Sequence, residues 1–371
     1  MNIIETDTFK TKVKRESNLE LLRLICMYYI VIHHILIHAL CQVAGYDNVL
    51  DLSKYTIIST ILDSFLFVAV NSFILISGFF SIKLKMNKLI RLYVLCAAYG
   101  ALFYFLHLFL DHQSIGKSFL LNSLFVISNA PNWWFIQSYF FLCLLSPLLN
   151  SSTGYMNKKE HLSAILVLTF LNVYFGFFWR NPINSDGYNV MNFLFLYIIG
   201  QYINKYISIS KLSKLRNRLI LIYLLLSLVL GLVILFVVFI LKKNTIAEAF
   251  WAYNNPLVVV SSIVFFCIFL TFNFKSRIIN WLAASTLSIY LIHENSYVRL
   301  YIYHFIRDIC NSHFFSNSIA LRYIVIIITA LILLVSCIVF DKLFQKIIKP
   351  LENLLVFLWS KIETQYSSFI N

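Results

Sequence analysis

Ionisable residues interrupt one apolar stretch of the sequence, from Glu20 to His38. An α-helix advances about 1.5 Å and turns about 100° per residue, so Arg23 and His34 fall on one face roughly 16 Å apart. Glu20 lies one turn before Arg23, and His38 lies one turn after His34. A neutral imidazole is suited to accepting a proton from a hydroxyl during acyl transfer. The pattern predicts a reactive site along this helix, with His34 as general base.

A structural interpretation of the same residues is also open. Arg23 could extend its head group to the membrane interface, and one of the adjacent histidines, His33 and His34, could be a hydrogen-bonded core residue. Ionisable groups inside a membrane are costly and usually face a bundle interior or a wet cavity. Four of them on one stripe therefore favour a functional site, and His34 aligns with Arg23 better than His33 does.

A second candidate region follows at the end of the next apolar run. Gly78 in Ser77-Gly78-Phe79 allows a ligand or another backbone to approach closely. Four basic residues come directly afterwards: Lys83, Lys85, Lys88 and Arg91. They could be ordinary cytoplasmic charge, or a site at which phosphates bind. The segment is therefore a candidate phosphate-binding site.

Polar and aromatic residues also occur between the apolar runs, on what we predict to be the outer side. Tryptophans there usually anchor the interface, although they can stack on sugars. We assign five residues to the acceptor side: His293, Glu294, Trp134, Arg180 and Asp186.

Composition defines the protein class. The 371 residues are 60% hydrophobic and 12% charged, with a mean hydropathy of +0.80, whereas soluble domains carry about 25% charged residues. Long apolar runs without period-two alternation predict helices and exclude a transmembrane barrel. The net charge of +14 lies in clusters between the runs, which indicates the positive-inside rule and no nucleic-acid partner. Seven scattered cysteines predict neither a metal site nor disulfides.

The apolar runs predict an all-α polytopic membrane protein with about ten transmembrane helices. Most of the 30 lysines and arginines lie in alternate connecting segments, which places both termini in the cytoplasm. We divide the chain into a basic tail (1–18), a ten-span membrane domain (19–340) and an amphipathic interfacial segment (341–371). Residues 119–127 could form a re-entrant segment. The predicted spans are 19–40, 57–80, 92–110, 133–149, 162–178, 190–206, 219–241, 257–273, 279–293 and 319–340.

Several motifs, taken in chain order, resemble those of one family. Arg23, ten intervening residues and His34 resemble the R-x10-H signature of the acyltransferase-3 family of bacterial integral-membrane O-acyltransferases. Ser77-Gly78-Phe79 is similar to the family's Ser-Gly-Phe element, and Lys88-Leu-Ile-Arg91 resembles its R-x-x-R, with lysine in the first position. Further blocks begin at Trp133, Ser146 and Ser285. The absence of a fused SGNH-type domain resembles the stand-alone polysaccharide O-acetyltransferase branch.

The resemblance implies transfer of an acyl group, usually acetyl, from acetyl-CoA to a hydroxyl of a cell-surface or exported polysaccharide or its lipid-linked precursor. Acetyl-CoA would be a co-substrate, with no tightly bound cofactor, and the setting would be the bacterial cytoplasmic membrane. His34 would act as general base, or would carry the acyl group briefly. Arg23 would orient the donor, and Glu20 would fix Arg23. The donor would bind at Ser77-Gly78-Phe79 and at the basic residues Lys83, Lys85, Lys88 and Arg91. The alternative from another class is a lipid-linked glycan flippase or other transporter whose path Arg23 and His34 line.

Overall fold

The computed structural model describes residues 16–46, 49, 52–110, 133–181, 184, 186–312 and 318–370, and throughout these ranges the regular structure is helical. The basic tail up to residue 15 and the segment 119–127 lie outside the described residues. The helices are α1 (Ser17–His34), α2 (Lys54–Leu66), α3 (Ala69–Phe79), α4 (Met86–Leu110), α5 (Trp134–Tyr155), α6 (Lys158–Thr169), α7 (Val190–Tyr206), α8 (Ile209–Lys214), α9 (Arg216–Leu235), α10 (Asn244–Phe250), α11 (Pro256–Leu270), α12 (Arg277–Ala283), α13 (Thr286–His293), α14 (Arg299–Asn311) and α15 (Ile319–Ile370). Three of them, α1, α6 and α9, continue into π-helical turns at Ile35–Ala39, Phe170–Phe178 and Phe236–Ile240.

Six helical segments in the described part of the chain are long and apolar enough to cross a membrane. They are Ser17–Ala39, Lys54–Phe79, Met86–Leu110, Lys158–Phe178, Arg216–Ile240 and Ile319–Gln365. The predicted all-α polytopic membrane fold is confirmed. The count of ten spans and the orientation of the termini stay predictions, because several of the remaining predicted spans are shorter or broken helices.

The ninth predicted span, 279–293, differs from a single helix. It consists of α12 and α13, separated by a turn at Ala284 and Ser285 in which the Ser285 amide donates to the Leu282 carbonyl. Apolar composition does not distinguish a continuous helix from two short ones, so hydropathy missed this break. The consequence is that α13 ends at His293 in the interior of the bundle.

The last two predicted segments also join into one element, because α15 runs on from the tenth span through the predicted boundary at residue 341. Asp341 is buried there and accepts hydrogen bonds from Tyr99 and Gln345. A carboxylate with two donors is satisfied inside the protein, so the charge does not force the helix to end. Pro350 lies within α15.

The first helix occupies the centre of the bundle. It packs against α3, α11, α12, α13 and α15. Helices α3 and α7 are in close contact at two glycines. Gly78 faces the Tyr197 carbonyl, and a Cβ added to Gly200 would lie 2.5 Å from the Leu75 carbonyl oxygen. Glycine is needed at these two positions because a side chain would overlap backbone atoms. This tight pair holds the Ser77-Gly78-Phe79 element beside α1.

Candidate functional site

The His34 side chain lies in a small cluster of ionisable groups at the end of α1. Its Nδ1 is 3.1 Å from His293 Nε2 and 3.1 Å from Glu294 Oε1. The side chain is 15% exposed, whereas that of Glu294 is 5% exposed. Two further rings, those of His33 and His38, have centroids 5.3 and 5.4 Å from that of His34. The break between α12 and α13 brings the His293-Glu294 pair to this position.

Hydrogen bonding fixes which nitrogen of a neutral His34 has the lone pair. His293 Nδ1 lies 2.5 Å from the Ile289 carbonyl oxygen, which can only accept, so that nitrogen carries the proton and Nε2 of His293 is an acceptor. His34 Nδ1 faces this acceptor and the Glu294 carboxylate, so it must be the donor. In the neutral ring the lone pair is therefore on His34 Nε2. That nitrogen is the one able to accept a proton.

Glu294 is held in place from three sides. Tyr303 donates its hydroxyl hydrogen to Oε1 at 2.7 Å, and Arg299 Nη1 donates to Oε2 at 3.4 Å. Together with His34 Nδ1, these donors satisfy an ionised carboxylate in a buried position. An ionised Glu294 beside Nδ1 would stabilise the imidazolium that forms when Nε2 takes a proton, as the carboxylate of a catalytic triad does.

The neighbouring His33 belongs to a different cluster. Its Nδ1 is 2.7 Å from Asp63 Oδ1 on α2, and both side chains are buried. Its ring also packs edge-on against Phe67 and Tyr46. Successive residues on a helix point about 100° apart, so the side chains of His33 and His34 lie in separate environments. The pair with Asp63 ties α1 to α2.

Arg23 lies towards the other end of α1 and pairs with Glu20, with 2.6 Å between Nη1 and Oε1. The Tyr139 side chain on α5 lies beside Ser77 and interacts electrostatically with Arg23. Glu20 and Arg23, which the helical spacing predicts to lie one turn apart, are in direct contact.

A row of packed rings leads from Tyr139 to His34 through the interior. Tyr139 stacks on Phe135 at 5.8 Å between ring centroids, and Phe135 meets Tyr290 edge-on at 6.1 Å. Tyr290 in turn contacts His293 at 6.2 Å, and His293 contacts His34. The Ser77-Gly78-Phe79 element, whose Ser77 lies beside Tyr139, is therefore connected to the His34 cluster through side-chain packing.

The basic residues after α3 divide into two groups. Lys83, Lys85 and Lys88 are exposed, and Lys88 interacts electrostatically with Cys143 on α5. Arg91 instead donates to Glu352 at 3.2 Å and to Asn353 at 3.1 Å on α15. The three lysines are therefore exposed to solvent, while the Arg91 guanidinium binds the last helix.

Trp134 lies in an aromatic cluster on the same end of the bundle as His33. Its ring is 4.5 Å from Tyr188 and stacks on Tyr253 at 5.5 Å. Tyr253 also stacks on Phe67, which contacts His33. Burial raises the pKa of both Tyr188 and Tyr253, so their hydroxyls stay protonated and can donate hydrogen bonds.

Arg180 and Asp186 form an exposed ion pair at 3.0 Å. It connects to the aromatic cluster through the backbone, since the Tyr253 amide donates to the Asp186 carbonyl. The structure does not bring Arg180 and Asp186 to His34, whereas His293 and Glu294 contact the His34 side chain directly. The five residues assigned to the acceptor side therefore occupy two places.

The His34 cluster has the donor atoms of a metal site, which the sequence did not predict. One ligand atom each from His34, His293 and Glu294 lies within 4.8 Å of the others. His293 also donates its second ring nitrogen to a backbone carbonyl, as metal-binding histidines do. The Arg299 guanidinium, however, already compensates the charge of Glu294, and the hydrogen bonds described above satisfy the three atoms without a cation.

Comparison with known families decides the class of protein. A family model described as an acyltransferase domain, of the acyltransferase-3 type, matches residues 16–341. The chain belongs to the acyltransferase-3 family. The resemblance read from the motifs is confirmed, and with it a multi-pass membrane protein with acyltransferase activity. Neither the curated proteins nor the solved structures gave a match to this acyltransferase.

Sequence reasoning missed several neighbours of the candidate site. Arg299 and Tyr303, which hold Glu294, fall between the ninth and tenth predicted spans but lie on α14. Tyr139, which lies beside Ser77, is in an apolar run that looks like any other span. The amphipathic pattern of residues 299–311, with Tyr303, Ile306 and Cys310 buried at helical spacing, was the signal that could have identified α14.

Proposed function

We propose that this acyltransferase moves an acyl group, acetyl in the simplest case, from acyl-CoA to a hydroxyl of a cell-surface or exported polysaccharide or its lipid-linked precursor. The bacterial cytoplasmic membrane is the proposed location. The observation that supports it best is the orientation of His34, whose Nδ1 proton is directed at His293 and Glu294 and whose Nε2 is left as the base. A general base with a supporting carboxylate is what activation of a sugar hydroxyl requires.

In the proposed reaction, every bond formed and broken and every proton moved is accounted for at one site. The acceptor hydroxyl gives its proton to His34 Nε2 while its oxygen attacks the thioester carbonyl, so a carbon–oxygen bond forms. The tetrahedral intermediate then expels the CoA thiolate by breaking the carbon–sulfur bond. The imidazolium returns its proton to that thiolate, which leaves His34 neutral for the next cycle. Glu294 stabilises the imidazolium throughout.

Arg23 has a separate task in this proposal. Its guanidinium, held by Glu20, binds a carbonyl or phosphate oxygen of the donor, for which a planar fork of N–H groups is suited. Tyr139 lies beside Ser77, and these two side chains supply hydroxyls on the proposed path of the donor. The donor enters from the lysine-rich segment, and the acceptor approaches from the side of Trp134, Tyr188 and Tyr253.

The function is tested by analysing the exported polysaccharide of cells with and without this gene. Mass spectrometry of the intact glycan is expected to show O-acetyl groups that disappear on deletion and return when the wild-type gene is supplied. A strain that carries the His34→Gln gene, with the protein confirmed in the membrane, should resemble the deletion. Unchanged O-acylation in the deletion strain would overturn the proposed acceptor.

A further inference from the structure

The turn that follows His34 on α1 is π-helical, over Ile35–Ala39. The amide after this turn donates to a carbonyl five residues back, one residue further than in an α-helix. The last carbonyl groups of a helix have no donor within the helix itself. Those of His38 and Ala39 therefore depend on groups outside α1, about one turn beyond the proposed base.

Arg307 on α14 supplies donors to both of these carbonyls. Its Nε lies 2.6 Å from the Ala39 oxygen, and its Nη2 lies 3.3 Å from the His38 oxygen. A guanidinium presents its N–H groups in a fixed plane, so two contacts restrict the helix end more than one would. Its positive charge also faces the negative end of the α1 dipole. Arg307 thus fixes the end of α1 to α14.

The same face of α14 holds the Glu294 carboxylate. Arg299, Tyr303 and Arg307 are spaced four residues apart, so they lie on one side of the helix. The first two donate to Glu294, and the Tyr303 ring also packs against His38 at 5.6 Å between centroids. One short helix therefore contacts both the end of α1 and the carboxylate beside the proposed base.

We propose that Arg307 is a positioning residue, which keeps His34 Nδ1 within hydrogen-bond distance of Glu294 by fixing the end of α1 on α14. This inference rests on the proposed function, in which His34 accepts the hydroxyl proton. Arg307 donates to backbone carbonyls, so it acts on the reaction through the position of His34. A displacement of about 1 Å in an active site can lower a rate by about 10²-fold. Loss of Arg307 should therefore appear in kcat.

A second arginine makes the same kind of contact at a different helix end. Arg216 Nε donates to Thr271 Oγ1 at 2.8 Å and its Nη2 donates to the Thr271 carbonyl at 2.6 Å, where α11 ends. Arg216 lies in a segment that the charge pattern predicts to be cytoplasmic, whereas α1 is predicted to end on the outer side. A cap that contributes only stability would behave alike at both places, so Arg216→Gln is the matched control for Arg307→Gln.

The test uses the full-length protein in lipid nanodiscs and measures the unfolding temperature and the transfer of labelled acetyl from acetyl-CoA to lipid-linked glycan. Both glutamine variants should lower the unfolding temperature, because each weakens the hydrogen bonding of a helix end. Only Arg307→Gln should lower kcat per folded protein, by about tenfold to 10²-fold, with KM for acetyl-CoA unchanged. Arg307→Lys keeps the charge without the planar fork, so its kcat should lie between those of Arg307→Gln and wild type.

A double substitution tests whether Arg307 acts through the contact between His34 and Glu294. Glu294→Gln removes the carboxylate that Arg307 is proposed to keep in register with the imidazole. Adding Arg307→Gln to this variant should therefore lower kcat by less than about threefold further. An effect unrelated to the contact would give the same fold-change in both backgrounds.

Three results would overturn the positioning role. They are wild-type kcat in every Arg307 variant that folds, an equal loss of kcat in Arg216→Gln, and an undiminished effect of Arg307→Gln when Glu294→Gln is already present. A wild-type protein that transfers no acetyl group would instead refute the proposed function.

Discussion

Replacing Glu294 by glutamine removes the negative charge behind His34 while it keeps the size of the side chain. Glu294 Oε1 is 3.1 Å from His34 Nδ1, and its other oxygen is 3.4 Å from Arg299. When His34 takes the hydroxyl proton, the new imidazolium faces a carboxylate in wild type and a neutral amide in Glu294→Gln. The rate of the transfer step should therefore fall.

The size of the effect follows from the charges. At an effective dielectric constant of about 20, two opposite unit charges 3.1 Å apart attract each other by about 5 kcal/mol. The amide oxygen of glutamine can still accept the His34 Nδ1 proton and keeps part of this attraction, so we take about 3 to 4 kcal/mol as the loss. Since each 1.4 kcal/mol changes a rate tenfold, kcat should fall by about 10²-fold to 10³-fold.

The assay is the initial rate of transfer from labelled acetyl-CoA to an extracted lipid-linked glycan, with the purified variant in proteoliposomes. KM for acetyl-CoA should stay near the wild-type value, because Glu294 does not contact the donor in this account. Glu248→Gln is the matched control, since Glu248 is exposed on α10. A folded Glu294→Gln protein with kcat within about threefold of wild type would refute the role given to the carboxylate.

Three further substitutions test the packing and the donor path. Asp63→Ala leaves His33 buried without its carboxylate and should lower the free energy of unfolding by about 1 to 3 kcal/mol; a stable variant that lost all activity would show that the pair is catalytic instead of structural. Gly78→Ala places a Cβ on a backbone carbonyl of α7 and should abolish accumulation of folded protein. The unfolding temperature of Gly154→Ala should match wild type or exceed it, because nothing lies within 4 Å of a Cβ at that position. Equal unfolding temperatures for the two variants would contradict the close contact between α3 and α7. Arg23→Lys keeps the charge but loses the planar fork, so KM for acetyl-CoA should rise about tenfold, and an unchanged KM would remove Arg23 from donor binding.

Apolar run length and charge clustering were enough to predict the fold class. The spacing of Glu20, Arg23 and His34 identified α1 as the helix that could carry catalytic residues, because the three share a face in any regular helix. The Glu20–Arg23 ion pair follows directly from that three-residue spacing. Local periodicity is therefore enough to predict contacts between side chains on one helix.

Contacts between distant segments could not be predicted in this way. The His293-Glu294 pair was recognised as unusual, but its contact with His34 depends on the turn between α12 and α13 and on the packing of α13 against α1. Arg299 and Tyr303 then complete the cluster from a further helix.

The proposed mechanism depends most on His34 as the group that accepts the hydroxyl proton. Its direct test is a single-turnover experiment with labelled acetyl-CoA and lipid-linked glycan, in which His34→Ala and wild type are compared at equal amounts of folded protein. Wild type should place the label on the glycan, and His34→Ala should leave it on CoA. Equal transfer by the two proteins would contradict the central claim.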